Sequence, residues 1–269
     1  MVHSRLYTPS VKPPLLHASI RGEGPTLVLL HGFLSSSDYW HRFTEKAAKN
    51  YRVISLDLLG FGRSPKPRLS GYDYKDHLAS IDATLKHYDV DDPFLLMGHS
   101  MGALLALRYA VYNKARVEKL LLINTPAMSG PKEVDQTMLK VSLLYNVALR
   151  PVTRRIVWPV ARISNRFKRL LPTKISRHMN YDDHFFSHSA RSRSRSYKNL
   201  IRHGDVKTDL GRVEVETLVV SGTKDFGIYL QTLNQAPTRP NVLIEAVDTG
   251  HHIPLDMPDL LTRRLETNY

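Results

Sequence analysis

Gly98-His99-Ser100-Met101-Gly102 decides how this chain reads, because a serine set between two glycines follows directly on a short apolar run. That run, Phe94-Leu95-Leu96-Met97, is bounded by Pro93 and Gly98 and has the composition of a buried strand. Beyond Met101, residues Ala103, Leu104, Ala106, Leu107 and Ala110 give a near-continuous apolar helical face. A strand that reverses sharply into a helix strains the residue at the apex, and flanking glycines let the backbones pass without a Cβ clash. Ser100 then stands above the sheet at the positive end of a helix, which is where a nucleophile belongs.

A serine hydroxyl is a weak nucleophile, so the motif acquires meaning only with a base, an orienting acid and an oxyanion site. Working back along the chain, Thr26-Leu27-Val28-Leu29-Leu30 reads as a strand running into His31-Gly32-Phe33. Ser35, Ser36, Ser37 and Asp38 then offer N-cap chemistry for a helix starting near Tyr39. Acyl transfer develops negative charge on a carbonyl oxygen, and two backbone N–H groups can hold it without reorganising. The amides of Met101 and Phe33 are the natural donors, with His31 read as a turn residue fixed by side-chain hydrogen bonds.

Further on, Thr217-Leu218-Val219-Val220-Ser221-Gly222-Thr223-Lys224-Asp225 is an apolar strand whose glycine turn carries a carboxylate at its C-terminal end. The strand Val242-Leu243-Ile244-Glu245-Ala246 feeds a loop that presents His251 shortly before the last helix. Serine, then acid, then histidine is the chain order of a nucleophile elbow in an α/β sheet. In that scheme His251 takes the Ser100 proton and Asp225 holds the imidazole in the right tautomer.

Taken together, these segments resemble the α/β-hydrolase superfamily. His31-Gly32, then Asp57-Leu58-Leu59-Gly60-Phe61-Gly62-Arg63-Ser64, then the elbow, Gly222–Asp225 and Gly250-His251 follow the family's order. The resemblance covers residues 16–124 and 216–265. It implies a mostly parallel central sheet flanked by helices, with a helical lid inserted in the second half. The expected organisation is a first core part over 1–125, a strongly basic helical lid over 126–212 and a second core part over 213–269. The family's terminal motif aligns with Gly250-His251 and Asp256-Met257-Pro258, which makes His251 the base and His252 its neighbour. The Asp57 segment corresponds to a structural turn. Ser100 argues against the epoxide hydrolases and haloalkane dehalogenases of this architecture, which carry aspartate at the elbow. Asn124 stands where some relatives place the acid, leaving Asp225 as the candidate, although the proline that often follows that acid in the family is missing here.

Composition agrees. A chain of 269 residues suits one α/β domain with an insertion, and the lack of cysteine excludes disulfides and thiol catalysis. Near the N-terminus, Pro9, Pro13 and Pro14 occur without an apolar signal-like run, and no apolar stretch approaches membrane-spanning length, so a cytoplasmic location is the default expectation. From Arg150 to Arg212 there are sixteen Lys and Arg against four acids, a net of +12 out of +13 for the whole chain. Clustered basic residues with apolar spacing suit an anionic membrane surface, at ~1 kcal/mol per cation near the headgroups. They also suit an anionic substrate, or a face that is merely solvated. Ala190-Arg191-Ser192-Arg193-Ser194-Arg195-Ser196 invites an RNA reading, but only Tyr197 offers a stacking surface and no nucleic-acid motif accompanies it. His178, Asp182, Asp183, His184 and His188 force no metal geometry and are read as a polar lid cluster.

The expected activity is hydrolysis of a carboxylic ester with a hydrophobic acyl group, with no cofactor and no metal. Leu143, Val147 and Trp158 are candidate pocket residues in the lid. Thioester, lactone and carbon–carbon bond cleavage use the same triad, and a slow-turnover binding protein acting through its basic lid is the alternative from another class.

Overall fold

Period-two side-chain alternation divides the central strands between two apolar cores. In β2 (Thr26–Leu30), Leu27 and Leu29 enter one core while Val28 and Leu30 enter the other. The same alternation recurs in β4 (Phe94–His99) and β5 (Val117–Ile123), so both sheet faces are covered and the strands read as continuous apolar runs. With β1 (Ala18–Arg21), β3 (Arg52–Leu56), β6 (Glu216–Gly222) and β7 (Val242–Val247) they form a seven-stranded sheet ordered β1-β3-β2-β4-β5-β6-β7. β1 is antiparallel to β3 and every other pair is parallel. This computed structural model describes residues 12–141, 187–237 and 239–267.

Helices α1 (His41–Ala47), α2 (Tyr74–His87) and α3 (Met101–Tyr112) belong to the first part of the sheet. The chain then leaves the sheet between β5 and β6, and the described helices of this insertion are α4 (Pro131–Val141), α5 (Ala190–Asn199) and α6 (Val206–Arg212). After β6 follow α7 (Gly227–Asn234), α8 (Ile253–Asp256) and α9 (Pro258–Glu266). Leu143, Val147 and Trp158 lie outside the described residues, as do His178, Asp182, Asp183 and His184.

Strand order reverses between β2 and β4: β3 lies on one side of β2, and the chain crosses back to place β4 on the other. In open α/β sheets that crevice, at the carboxyl ends of the strands, is where ligands bind. Phe33 follows β2 and Ser100 follows β4, so both stand at this point.

Two local expectations, the helix start near Tyr39 and the polar setting of His188, are corrected. The serine run opens on a 3-10 turn, Ser37–Trp40, and the α-helix begins only at His41. The Ser36 hydroxyl accepts from the Asp38 N–H at 3.2 Å and tightens the entry. The Arg-Ser alternation forms a helix, α5, whose Ser189 and Ser192 make a reciprocal capping box. Ser192 and Ser196 face inward, and the Ser192 hydroxyl donates to the Gly60 carbonyl at 2.9 Å. His188, expected on a polar face, is buried and packs edge-on to Phe61 at 6.2 Å.

Candidate active site

Ser100 adopts φ +53° and ψ −118°, left-handed backbone outside the helix that starts at Met101. Such a conformation costs about 1–3 kcal/mol and persists only where the surroundings enforce it. Here the Ser100 N–H donates to the Ile123 carbonyl of β5 at 2.9 Å, and the Ser100 carbonyl accepts from the Ala103 N–H at 2.9 Å. Both flanking glycines are required by close approach. A Cβ on Gly98 would strike the Gly102 carbonyl, and one on Gly102 would strike the Leu30 carbonyl of β2.

The acid comes from the turn after β6 and the histidine from the loop after β7. His251 Nδ1–H donates to Asp225 Oδ2 at 2.8 Å, and the Asp225 side chain is 1% exposed. Burial by itself would raise the Asp225 pKa. The hydrogen bond and charge of His251, with a hydrogen bond from Asn124, outweigh it and hold the carboxyl below its usual value. With Nδ1 donating to the carboxylate, Nε2 carries the imidazole lone pair. A Cβ on Gly222 would collide with the Thr249 and Gly250 carbonyls, so this glycine lets the two loops close on each other.

Asn124 is a buried partner of this pair. It sits at φ +47° at the end of β5, and its Nδ2 donates to Asp225 Oδ2 at 2.7 Å. The sequence reading registered it only as a missing acid. His99, inside the elbow motif, went unread altogether. Its Nε2–H donates to the His251 carbonyl at 2.7 Å, with the two rings 4.9 Å apart. Its other face stacks on Tyr39 at 4.8 Å, and the Tyr39 hydroxyl lies 3.2 Å from His252 Nδ1. Burial, and after it the neighbouring His251, push the His99 pKa down to about 3, so this imidazole is neutral at physiological pH.

The turn bearing Phe33 is drawn against the elbow. A Cβ on Gly32 would lie 3.3 Å from Ser100 Cβ and 3.0 Å from His99 Nδ1. His31 Nδ1–H donates to the Gly32 carbonyl at 2.7 Å, while its Nε2 accepts from the Leu58 N–H at 2.9 Å, so both ring nitrogens hold turns. Phe33 packs on Phe61 at 5.9 Å. Met101, as the first residue of α3, has one of the N–H groups that a helix leaves without an internal acceptor. Asp57 fixes the neighbouring loop by accepting from the Ser37 N–H at 2.6 Å and the Arg63 N–H at 2.7 Å. Among the described residues no group of three or more His, Asp or Glu is arranged to hold a metal ion.

A left-handed serine between strand and helix, a buried carboxylate and a histidine, from the loops after β4, β6 and β7 of a mostly parallel sheet, define a class. Residues 25–258 match the α/β-hydrolase fold model, and the chain belongs to that family. Among curated proteins it is similar to the probable lysophospholipase BODYGUARD 1 of Arabidopsis thaliana, 37% identical over 138 residues. That match spans 49% of this chain and 28% of the relative, so the chain corresponds to little more than a quarter of that protein's length. Among solved structures, the enol-lactonase of Burkholderia xenovorans superposes with a TM-score of 0.71 at 20% identity, covering 93% of this chain and 95% of the other. An esterase of Exiguobacterium antarcticum gives the same score and identity, covering 93% and 94%.

Proposed function

We propose that this protein is a serine hydrolase that cleaves carboxylic esters of hydrophobic acyl groups. The observation that carries the reading is the pairing of His251 with the buried Asp225, at the sheet rim that holds Ser100 in its left-handed conformation. Ser100 Oγ attacks the ester carbonyl carbon as its proton passes to His251 Nε2. The resulting oxyanion is held by the N–H groups of Phe33 and Met101, and Asp225 stabilises the imidazolium without taking its proton. Collapse breaks the carbon–oxygen bond, and the leaving alcohol takes the proton from His251. Water then gives a proton to His251 as it attacks the acyl-enzyme, releasing the acid and regenerating Ser100.

The similarity to a probable lysophospholipase favours a fatty acyl ester over a small polar one. In this reading residues 126–212 act as the lid, and Leu143, Val147 and Trp158 line the acyl pocket. Contact with an anionic lipid surface through the basic span belongs to the same reading. Thioesters, lactones and carbon–carbon bonds are open to the same residues, and a panel of acyl lengths and leaving groups ranks them.

Ser100→Ala is expected to abolish hydrolysis of a p-nitrophenyl ester and labelling by a fluorophosphonate, with the circular dichroism spectrum unchanged. Residual turnover in that variant at wild-type rate refutes the assignment.

A further inference from the structure

We infer that the loop 65–72 and the exposed face of α5 form one docking surface for an anionic lipid bilayer, with Leu69 as its apolar tip. Leu69 is 97% exposed, the most exposed of the large hydrophobic residues described. A flexible loop would fold such a side chain back, but this one is held out. Pro65 and Pro67 restrict its backbone, Lys66 Nζ donates to the Gly62 carbonyl at 2.7 Å, and the Tyr72 hydroxyl donates to the Pro67 carbonyl at 2.8 Å.

The loop is fastened to α5 rather than standing apart. The Arg195 guanidinium donates to the Ser70 and Arg68 carbonyls, and Asn199 Nδ2 donates to the Gly71 carbonyl at 2.7 Å. Arg191, Arg195 and Lys198 recur at helical spacing along one side of α5, and Arg68 adjoins Leu69. Neither the loop nor α5 contains an acid, and these four cations make no ion pair among the described residues. The adjacent described acids are engaged by other groups. Asp73 caps α2, and Asp76 accepts from the Ser70 hydroxyl at 2.7 Å and the Tyr72 N–H at 3.0 Å. Asp135 is paired with Arg202 at 2.9 Å.

Fixed positive charge around a projecting aliphatic side chain matches a bilayer with anionic headgroups over a hydrocarbon interior. Nucleic acid fits less well, because Tyr72 is buried and the Tyr197 hydroxyl is bonded to Asp135 at 2.7 Å, so neither aromatic of this loop and helix is free for stacking. The loop follows β3, so the surface lies at the same carboxyl rim of the sheet as Ser100, Asp225 and His251. Docking there turns the site toward the lipid. That orientation rests on the ester-hydrolase reading, whereas the binding does not.

The test is co-sedimentation of the full chain with phosphatidylcholine vesicles, with and without phosphatidylglycerol. Wild type is expected to bind only the anionic vesicles. The double variant Arg68→Glu/Arg191→Glu should weaken binding by about thirtyfold or more, Leu69→Asp should also weaken it, and Ser100→Ala should bind like wild type. Equal binding to neutral vesicles, or variants that bind anionic vesicles like wild type, overturns the proposal. So does tight single-stranded RNA binding without vesicle binding. Should Ser100→Ala retain turnover while the surface variants lose vesicle binding, the hydrolase reading fails and the docking surface stands.

Discussion

His99 ties the strand that leads into Ser100 to the loop that carries the proposed base, through one hydrogen bond to a backbone carbonyl. A net hydrogen bond contributes about 1 kcal/mol, so its loss should lower the rate about fivefold. His99→Leu is therefore expected to reduce kcat and fluorophosphonate labelling in equal proportion, with KM unchanged. His99→Gln, whose amide can reach the same carbonyl, should restore most of both. A variant that lowers only the melting temperature would make His99 a packing residue instead. At this scale Ser100, Asp225 and His251 were legible because their chain order and glycine turns are local signals. The tie from His99 was not, since it joins a side chain to a main-chain carbonyl 152 residues away. Asn124 was hidden for the same reason: its partner Asp225 lies 101 residues on.

α3 and β2 meet at Gly102, where helix propensity and close packing oppose each other. Alanine at a helix position normally gains up to about 1 kcal/mol over glycine. Here the added methyl would strike the Leu30 carbonyl, and overpacking of this kind costs about 1–3 kcal/mol. Overpacking wins, so Gly102→Ala should destabilise the fold by about 1–2 kcal/mol, read as a lower urea midpoint at unchanged m, and slow fluorophosphonate labelling, because α3 must shift away from β2 and carries Ser100 with it. An unchanged midpoint would mean that the helix moves freely. Short apolar runs made β2 and β4 readable as elements, and helical periodicity did so for α3. It said nothing at α5, where strict Arg-Ser alternation carries no apolar period. Capping by Ser189 and the small inward faces of Ser192 and Ser196 decide for helix, and both depend on what the segment packs against.

Across the whole molecule, stability should fall on mild acidification, before any carboxylate titrates. His77 and His99 are both buried, and burial pushes each pKa down to about 3 from an ordinary 6.5. Between those values the unfolded chain binds two protons that the folded chain does not. Stability is complete above pH 6.5 and declines as the pH falls toward about 3, by up to about 1.4 kcal/mol per pH unit for each histidine. Asp57 and Asp225, both held below their ordinary 3.8, add a loss only in the range below it. Thermal melts from pH 7 to 4.5 should therefore slope in wild type and flatten in His77→Gln/His99→Gln; parallel slopes would assign the effect elsewhere. The global arrangement of sheet and insertion was legible through the resemblance carried by the ordered motifs, whereas the course of the insertion depends on partners that no short window of sequence contains.

The seating of Ser192 on Gly60 has a consequence for engineering. Gly60 stands at φ +87°, and any side chain there would run into Ser192. The returning end of the insertion is thus bolted to the loop after β3. Chimeras that import a foreign substrate-selecting segment should splice before Ser187, keeping the bolt and its socket from the same parent.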